Sequence, residues 1–391
     1  MNRYDVIVLG ARGSGKTTFL SSMYHRLSSQ EESTRYFLHL PQAQKKLLID
    51  KFIEMADTSC PNSDWPAATR ATEVLEYNFT CSVRGPTHEA HDVFQFNYWD
   101  YAGGLLLDPT TGEAFQELEA KFPNAHALLV LLDGIKVLAH IKGEGPKRHS
   151  LVTDLAFVYQ EIEKNRHPVH FVITKWDQIE GHFSFKTVRD RLLAIPKFRQ
   201  LVEQRAKQHV PIRVIPVSSV GMNFAKAHVD RDGYITMAKT PGAVPHPFFV
   251  EMPLACVIPD KLCAELSQLK ENEDALRAET TTVAPSYNLF DWIGQLFAGA
   301  IDRIQHRLPE ELRFAEGVLK RLAEVSLSGA RRKDADAEML TQQRRESIER
   351  TLQIVIDRHT AVEHVINNFT ELVKQLETRF PESVLDESCL K

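Results

Sequence analysis

The chain has 391 residues, 43% of them hydrophobic and 25% charged, with a formal net charge of −5. That length predicts two domains, or one large domain with an extension. The composition excludes a disordered chain, and the slight acidic excess leaves no global basic field that would argue for nucleic acid. The five cysteines (Cys60, Cys81, Cys256, Cys263 and Cys389) form no C-x-x-C pair and no zinc spacing, as expected in a reducing compartment. No apolar run approaches the ~18 residues that span a bilayer, so no transmembrane segment is expected. Met1-Asn2-Arg3 leads straight into the first predicted strand, and neither a signal peptide nor a lipidation site is expected. A cytoplasmic protein is anticipated.

Tyr4 to Leu9 reads as a buried strand and Thr17 to Leu27 as a helix. Between them Gly10-Ala11-Arg12-Gly13-Ser14-Gly15-Lys16-Thr17 fits G-x-x-x-x-G-K-[ST] at every fixed position. Glycines let such a loop turn its N–H groups inward, forming an anion-binding nest at a helix N-terminus. Lys16 then reaches the β- and γ-phosphates, and the Thr17 hydroxyl is placed for Mg²⁺. Gly10, Gly13, Ser14, Gly15, Lys16, Thr17 and Thr18 are the candidate phosphate-binding residues.

Gln42 to Ala56 has roughly helical apolar spacing, and Pro61 to Pro66 is a loop. Val74 to Val83 and His91 to Trp99 alternate as strands, with Arg84-Gly85-Pro86-Thr87 turning between them. The second strand runs into Trp99-Asp100-Tyr101-Ala102-Gly103-Gly104. Ala125 to Leu132 is apolar throughout, as a central parallel strand should be. Leu151 to Lys164 is helical. Val169 to Thr174 is a strand ending at Thr174-Lys175-Trp176-Asp177. Phe185 to Lys207 is helical with a break near Pro196, and Val210 to Val217 is a strand ending at Ser218-Ser219. Strands alternating with helices predict a mainly parallel, doubly wound α/β sheet that binds ligands at the carboxyl ends of its strands.

The order of these motifs resembles the G-domain of Ras-like and translation-factor-class P-loop GTPases, over about the first 220 residues. The resemblance implies GTP/GDP and Mg²⁺ as ligands. It implies that Asp100 to Gly103 is the D-x-x-G motif, in which Asp100 holds the Mg²⁺ shell through water and the Gly103 amide senses the γ-phosphate. It makes Thr174-Lys175-Trp176-Asp177 the [NT]-K-x-D motif. There Asp177 accepts the guanine N1–H and N2–H₂, and the Lys175 stem covers the ring. Adenine lacks that donor pair, which favours GTP over ATP. Ser218-Ser219 corresponds to the fifth motif, whose backbone N–H meets guanine O6. For the Mg²⁺-ligating switch threonine the choice is Thr69, with Thr72 its rival.

Two departures bear on catalysis. Gly104 stands where Ras-like enzymes carry the Gln that orients water, so hydrolysis is expected to be slow. Arg12 either turns inward as an arginine supplied in cis or points to solvent; with Lys16, Thr69 and Gly103 it completes the catalytic candidates. Asp230-Arg231-Asp232-Gly233-Tyr234-Ile235 echoes a calcium loop, but Lys239 stands where a bidentate Glu is needed, so it reads as a turn.

Residues 1–259 are assigned to the G-domain, with an insertion at 30–70 and an irregular extension at 222–259. Residues 260–391 are assigned to an α-helical bundle or coiled-coil module. Leu289 to Leu308 carries one apolar stripe, and Ile348 to Phe380 carries another at alternating steps of four and three, broken by His359. The second seam is expected to pack on 287–327, or to join a partner or a second copy. The functional expectation is a GTP-binding switch, hydrolysing GTP slowly to GDP and phosphate, similar to divergent bacterial G-proteins. A dynamin-like oligomerising GTPase and a scaffold that binds GTP without turnover are the alternatives.

Overall fold

The computed structural model describes residues 1–31, 35–59, 65–66, 74–85, 89–101, 116, 119–143, 145–163, 165–229, 235–265 and 358–390. Thr69, Thr72, Gly103, Gly104 and the stripe at 289–308 lie outside the described residues.

β1 (Asn2–Gly10) is the hub, hydrogen-bonded in parallel to β4 (Ala90–Tyr101) on one side and to β5 (Ala127–Asp133) on the other. The sheet extends from β5 through β6 (Val169–Thr174) to β7 (Ile212–Pro216), both parallel. Beyond β4 it continues antiparallel through β3 (Val74–Arg84) to β2 (Phe37–His39). The order is β2-β3-β4-β1-β5-β6-β7. β5 is buried from Ala127 to Leu132 because helices cover both faces, which explains its unbroken apolar run. The protein is thus a doubly wound, mainly parallel α/β sheet with a phosphate-loop motif after its first strand.

α1 (Lys16–Leu27) buries Phe19, Leu20, Met23 and Leu27, which its helical period places on one side. α2 (Gln42–Ala56) packs beside it, with Leu48, Phe52 and Met55 inward. The short β2, the helix α3 (Gly134–Lys142) that starts directly off β5, and a hairpin of β8 (Ala225–Val229) and β9 (Ile235–Lys239) were not anticipated. The hairpin lies within the stretch expected to be irregular. α4 (Gly145–Glu163) starts earlier than the sequence suggested. The break at Pro196 divides α5 (Phe185–Leu193) from α6 (Pro196–Lys207), with proline in the first turn where its missing N–H costs nothing.

α7 (Met252–Ala255) leads into α8 (residues 257–265), so the expected boundary at 259/260 falls inside a helix. The last helix, α9 (Arg358–Arg379), buries Ala361, Val365, Phe369, Leu372, Val373 and Leu376 in the same core as the sheet. Phe369 meets Tyr36 and Phe96 edge-on or tilted, so this half of the seam is covered by the protein's own sheet. The rest of the seam, from Ile348 to Asp357, lies outside the described residues. Among the described residues no helix is long and apolar enough to cross a membrane.

A buried ionic cluster fastens α8 and α9 to the sheet. Asp260 receives both forks of Arg213, at 2.6 and 2.8 Å, and Nε2 of His170 at 2.8 Å, while Arg213 also reaches Glu377 at 2.8 Å. Burial alone pushes the Asp260 carboxyl up, but Arg213 and the His170 hydrogen bond hold it down at about 2.

Candidate nucleotide-binding site

β1, β4, β5, β6 and β7 all end at the same edge of the sheet. In-register pairing sets Val8 beside Asp100, Gly10 beside Leu131, Asp133 beside Thr174, and Ile173 beside Pro216. Every predicted motif within the described residues therefore opens on one crevice, as expected for this sheet class.

The phosphate loop has the backbone its glycines allow. Gly13 and Gly15 hold φ of 83° and 85°, in the left-handed region where a side chain would be strained. Gly15 caps α1, so the first amides of the helix face the crevice. Lys16 is buried and donates to the Gly10 carbonyl at 2.8 Å, crossing over the loop. Burial lowers the pKa of its ammonium, while the field of Asp100 acts the other way. Ser14 Oγ is buried with no hydrogen-bond partner among the described residues. Arg12 is exposed. Thr17 and Thr18 lie in the first turn of α1, both partly buried, with the Thr17 carbonyl accepting from Ser21 Oγ at 2.8 Å.

Asp100 is fully buried at the end of β4, and neither carboxylate oxygen has a hydrogen-bond partner among the described residues. Burial raises its pKa to about 6, against the pull of Lys16. A buried carboxylate without donors is costly unless something outside the protein meets it. The donor set of a threonine hydroxyl and a carboxylate is hard oxygen, which suits Mg²⁺. These residues fit the ion.

Thr174, a member of the expected base motif, bonds the loop: its hydroxyl lies 2.7 Å from the Ser14 carbonyl and 3.1 Å from that of Leu132. Lys175 has a φ of 52°, uncommon for a residue with a side chain. Its ammonium bonds the Gly13 carbonyl at 3.0 Å and Asp133 Oδ2 at 2.9 Å. Its stem therefore runs across the crevice from the base motif to the phosphate loop. Trp176 is buried, and its backbone N–H donates to the Val217 carbonyl at 3.1 Å, joining the ends of β6 and β7.

Asp177 is 91% buried, having 9% relative exposure, and accepts from Ser218 Oγ on Oδ1 and from Gln178 Nε2 on Oδ2. Ser218 also exchanges backbone hydrogen bonds with Phe248, at 3.0 and 2.8 Å. Its N–H is therefore committed to Phe248. The Ser219 carbonyl accepts from Ser22 of α1 at 2.8 Å.

Three supporting residues escaped the sequence reading. Asp133 caps α3 through the Ile135 N–H and pairs with Lys175. Gly134 admits no side chain, because a Cβ there would lie 2.2 Å from the Thr174 carbonyl. Gln178 ties Asp177 to the hairpin. The only hint of the first two was Asp-Gly directly after an apolar strand.

No protein-family model matches the chain, and no curated protein does. Among solved structures it is similar to the Arl6 (BBS3) small GTPase from Trypanosoma brucei with bound nucleotide analogue GppNp. That match has 14% identity, covers 56% of this chain and 87% of that one, and has a TM-score of 0.27. The G domain of the T. maritima FeoB iron transporter matches at 12% identity, over 56% of this chain and 88% of that one, with a TM-score of 0.26. The fold assignment rests on the strand order and register described above.

Proposed function

We propose that this chain is a Mg²⁺-dependent guanine-nucleotide switch with slow GTP hydrolysis. The observation that carries the reading is the pairing of two buried carboxylates along one crevice. Asp100 has no donor among the described residues and lies in the field of Lys16 at the phosphate loop, and Asp177 is held by two donors at the other end. The amides of the loop and Lys16 would bind the β- and γ-phosphates. Thr17 and Asp100, with Thr69 from the first switch, would hold the Mg²⁺. The ion would supply positive charge against the phosphate oxygens.

At the base end Asp177 would accept the two guanine donors, and the Ser219 N–H would meet O6. Adenine would leave the carboxylate unpaired, a loss of several kcal/mol. Gly104 offers no side chain to orient water, so the isolated protein would turn over slowly. The γ-phosphate would order the segments around Thr69 and Gly103 and hydrolysis would release them, which partners of the C-terminal helices would read. Competition of GTP and ATP against a fluorescent GTP analogue, with and without a Mg²⁺ chelator, tests the reading. Stronger competition by GTP than by ATP, with affinity that falls on chelation, is expected. Equal competition by ATP removes the guanine assignment, and indifference to the chelator removes the metal.

A further inference from the structure

The β8–β9 hairpin is not part of the main sheet, yet one side chain fastens it to the base end of the crevice. Gln178 Nε2 donates to Asp177 Oδ2 and, at 2.9 Å, to the Ala225 carbonyl, while its Oε1 accepts the Ala227 N–H at 3.1 Å. Chemistry fixes the amide's orientation. Turned over, it would set its NH₂ against the Ala227 N–H and its oxygen against both a carbonyl and a carboxylate. Both protons of the amide are thus committed, one to the hairpin and one to Asp177. On the other oxygen the Ser218 hydroxyl gives its single proton to Asp177 and accepts the Gly221 N–H at 2.8 Å. Each carboxylate oxygen then keeps a lone pair for an incoming donor.

We propose that Gln178 is a positioning residue for base recognition: anchored on the hairpin, it keeps Asp177 ionised and turned so that both oxygens accept from the purine. The inference rests on the guanine reading above and adds to it the residue that prepares the carboxylate. Burial pushes the Asp177 carboxyl up, while hydrogen bonds from Ser218 and Gln178 and the charge of Lys175 bring it down. Lys175 is the charged side chain whose field acts on it. Only the ionised form accepts both guanine donors. Removing the Gln178 donor raises the pKa, so the protonated fraction grows at any given pH and binding fails at a higher pH on the acid side.

The test is GDP affinity of the full chain, its Gln178→Leu and its Gln178→Glu variants, between about pH 5 and about pH 8.5. Gln178→Leu should weaken GDP about tenfold near neutrality, the loss of one hydrogen bond to a charged acceptor. Its acid limb should lie at higher pH than that of the unmutated protein. Gln178→Glu is nearly isosteric and keeps an acceptor for Ala227, but it sets a second carboxyl against Asp177, so its acid limb should lie higher still. In both variants binding should recover towards alkaline pH. A side chain that only secured the hairpin would weaken binding evenly across the range, and that result overturns the proposal. Loss of binding at every pH in a folded Gln178→Glu protein overturns it too. Absence of guanine preference in the unmutated protein instead brings down the underlying base assignment, whatever the variants do.

Discussion

The two ends of the crevice are built in opposite ways. The phosphate end is one contiguous loop, Gly10 to Thr17, set between consecutive elements and shaped by its own glycines. The base end collects Asp133, Thr174 to Gln178, Ser218 and Ser219, a hairpin from 225–239, and Phe380 at the end of α9. Local backbone preference suffices for the first. The second exists only once strands distant in sequence lie side by side. The two ends are also joined, because Thr174 and Lys175 both bond loop carbonyls. A change at either end should therefore be felt at the other, because such coupling is reciprocal.

The largest expected effect lies at the local end. On the proposed function, Lys16→Ala removes the cation that would face the phosphates and should weaken GTP at least about a hundredfold. Circular dichroism should be unchanged, since among the described residues Lys16 Nζ bonds a single group, the Gly10 carbonyl. Titration with a fluorescent GTP analogue reads it, and retained micromolar affinity would count against the loop assignment.

Asp177→Asn comes next. An amide accepts on one atom only, so guanine preference should fall by roughly tenfold or more, the cost of an unpaired buried donor. A xanthine nucleotide, which carries a carbonyl where guanine has its amine, should gain relative to GTP in competition. An unchanged GTP-to-xanthine ratio would dissociate Asp177 from the base.

Phe380→Leu tests whether the base end depends on remote packing. Phe380 lies 4.9 Å from Phe185, 5.8 Å from Phe249 and 6.2 Å from Trp176 between ring centroids, and Arg379 covers Phe248 at 4.6 Å. Trp176 belongs to the base motif and Phe248 pairs with Ser218. Losing the aromatic contacts costs about 1 kcal/mol, and GDP release should quicken roughly fivefold. A stopped-flow release rate equal to that of the unmutated protein would confine α9 to a purely structural role.

The smallest effect is expected at Arg12. Its side chain is exposed beside the loop, so Arg12→Ala should leave both GTP affinity and single-turnover hydrolysis within about twofold. A tenfold drop in the hydrolysis rate with affinity intact would instead place the guanidinium in the transition state.

Sequence alone determined the parts governed by short-range physics. The αL glycines, the unbroken apolar run of β5, the alternation of β3 and β4 and the proline break before α6 all follow from residue type and spacing. The sites at strand ends were legible because a parallel sheet opens there. Tertiary structure decided the rest. Thr174 turned out to brace the loop, since register with β5 brings its hydroxyl to the Leu132 and Ser14 carbonyls. Gln178 gained its role from a hairpin whose pairing depends on contacts no local pattern encodes. The heptad-like spacing of α9 spoke only of an apolar face to be buried. That the face lies on the sheet was settled by Phe369 against Phe96 and by the charge cluster of Arg213, Asp260 and Glu377. Periodicity reports that a surface must be covered, and only the assembled chain determines what covers it.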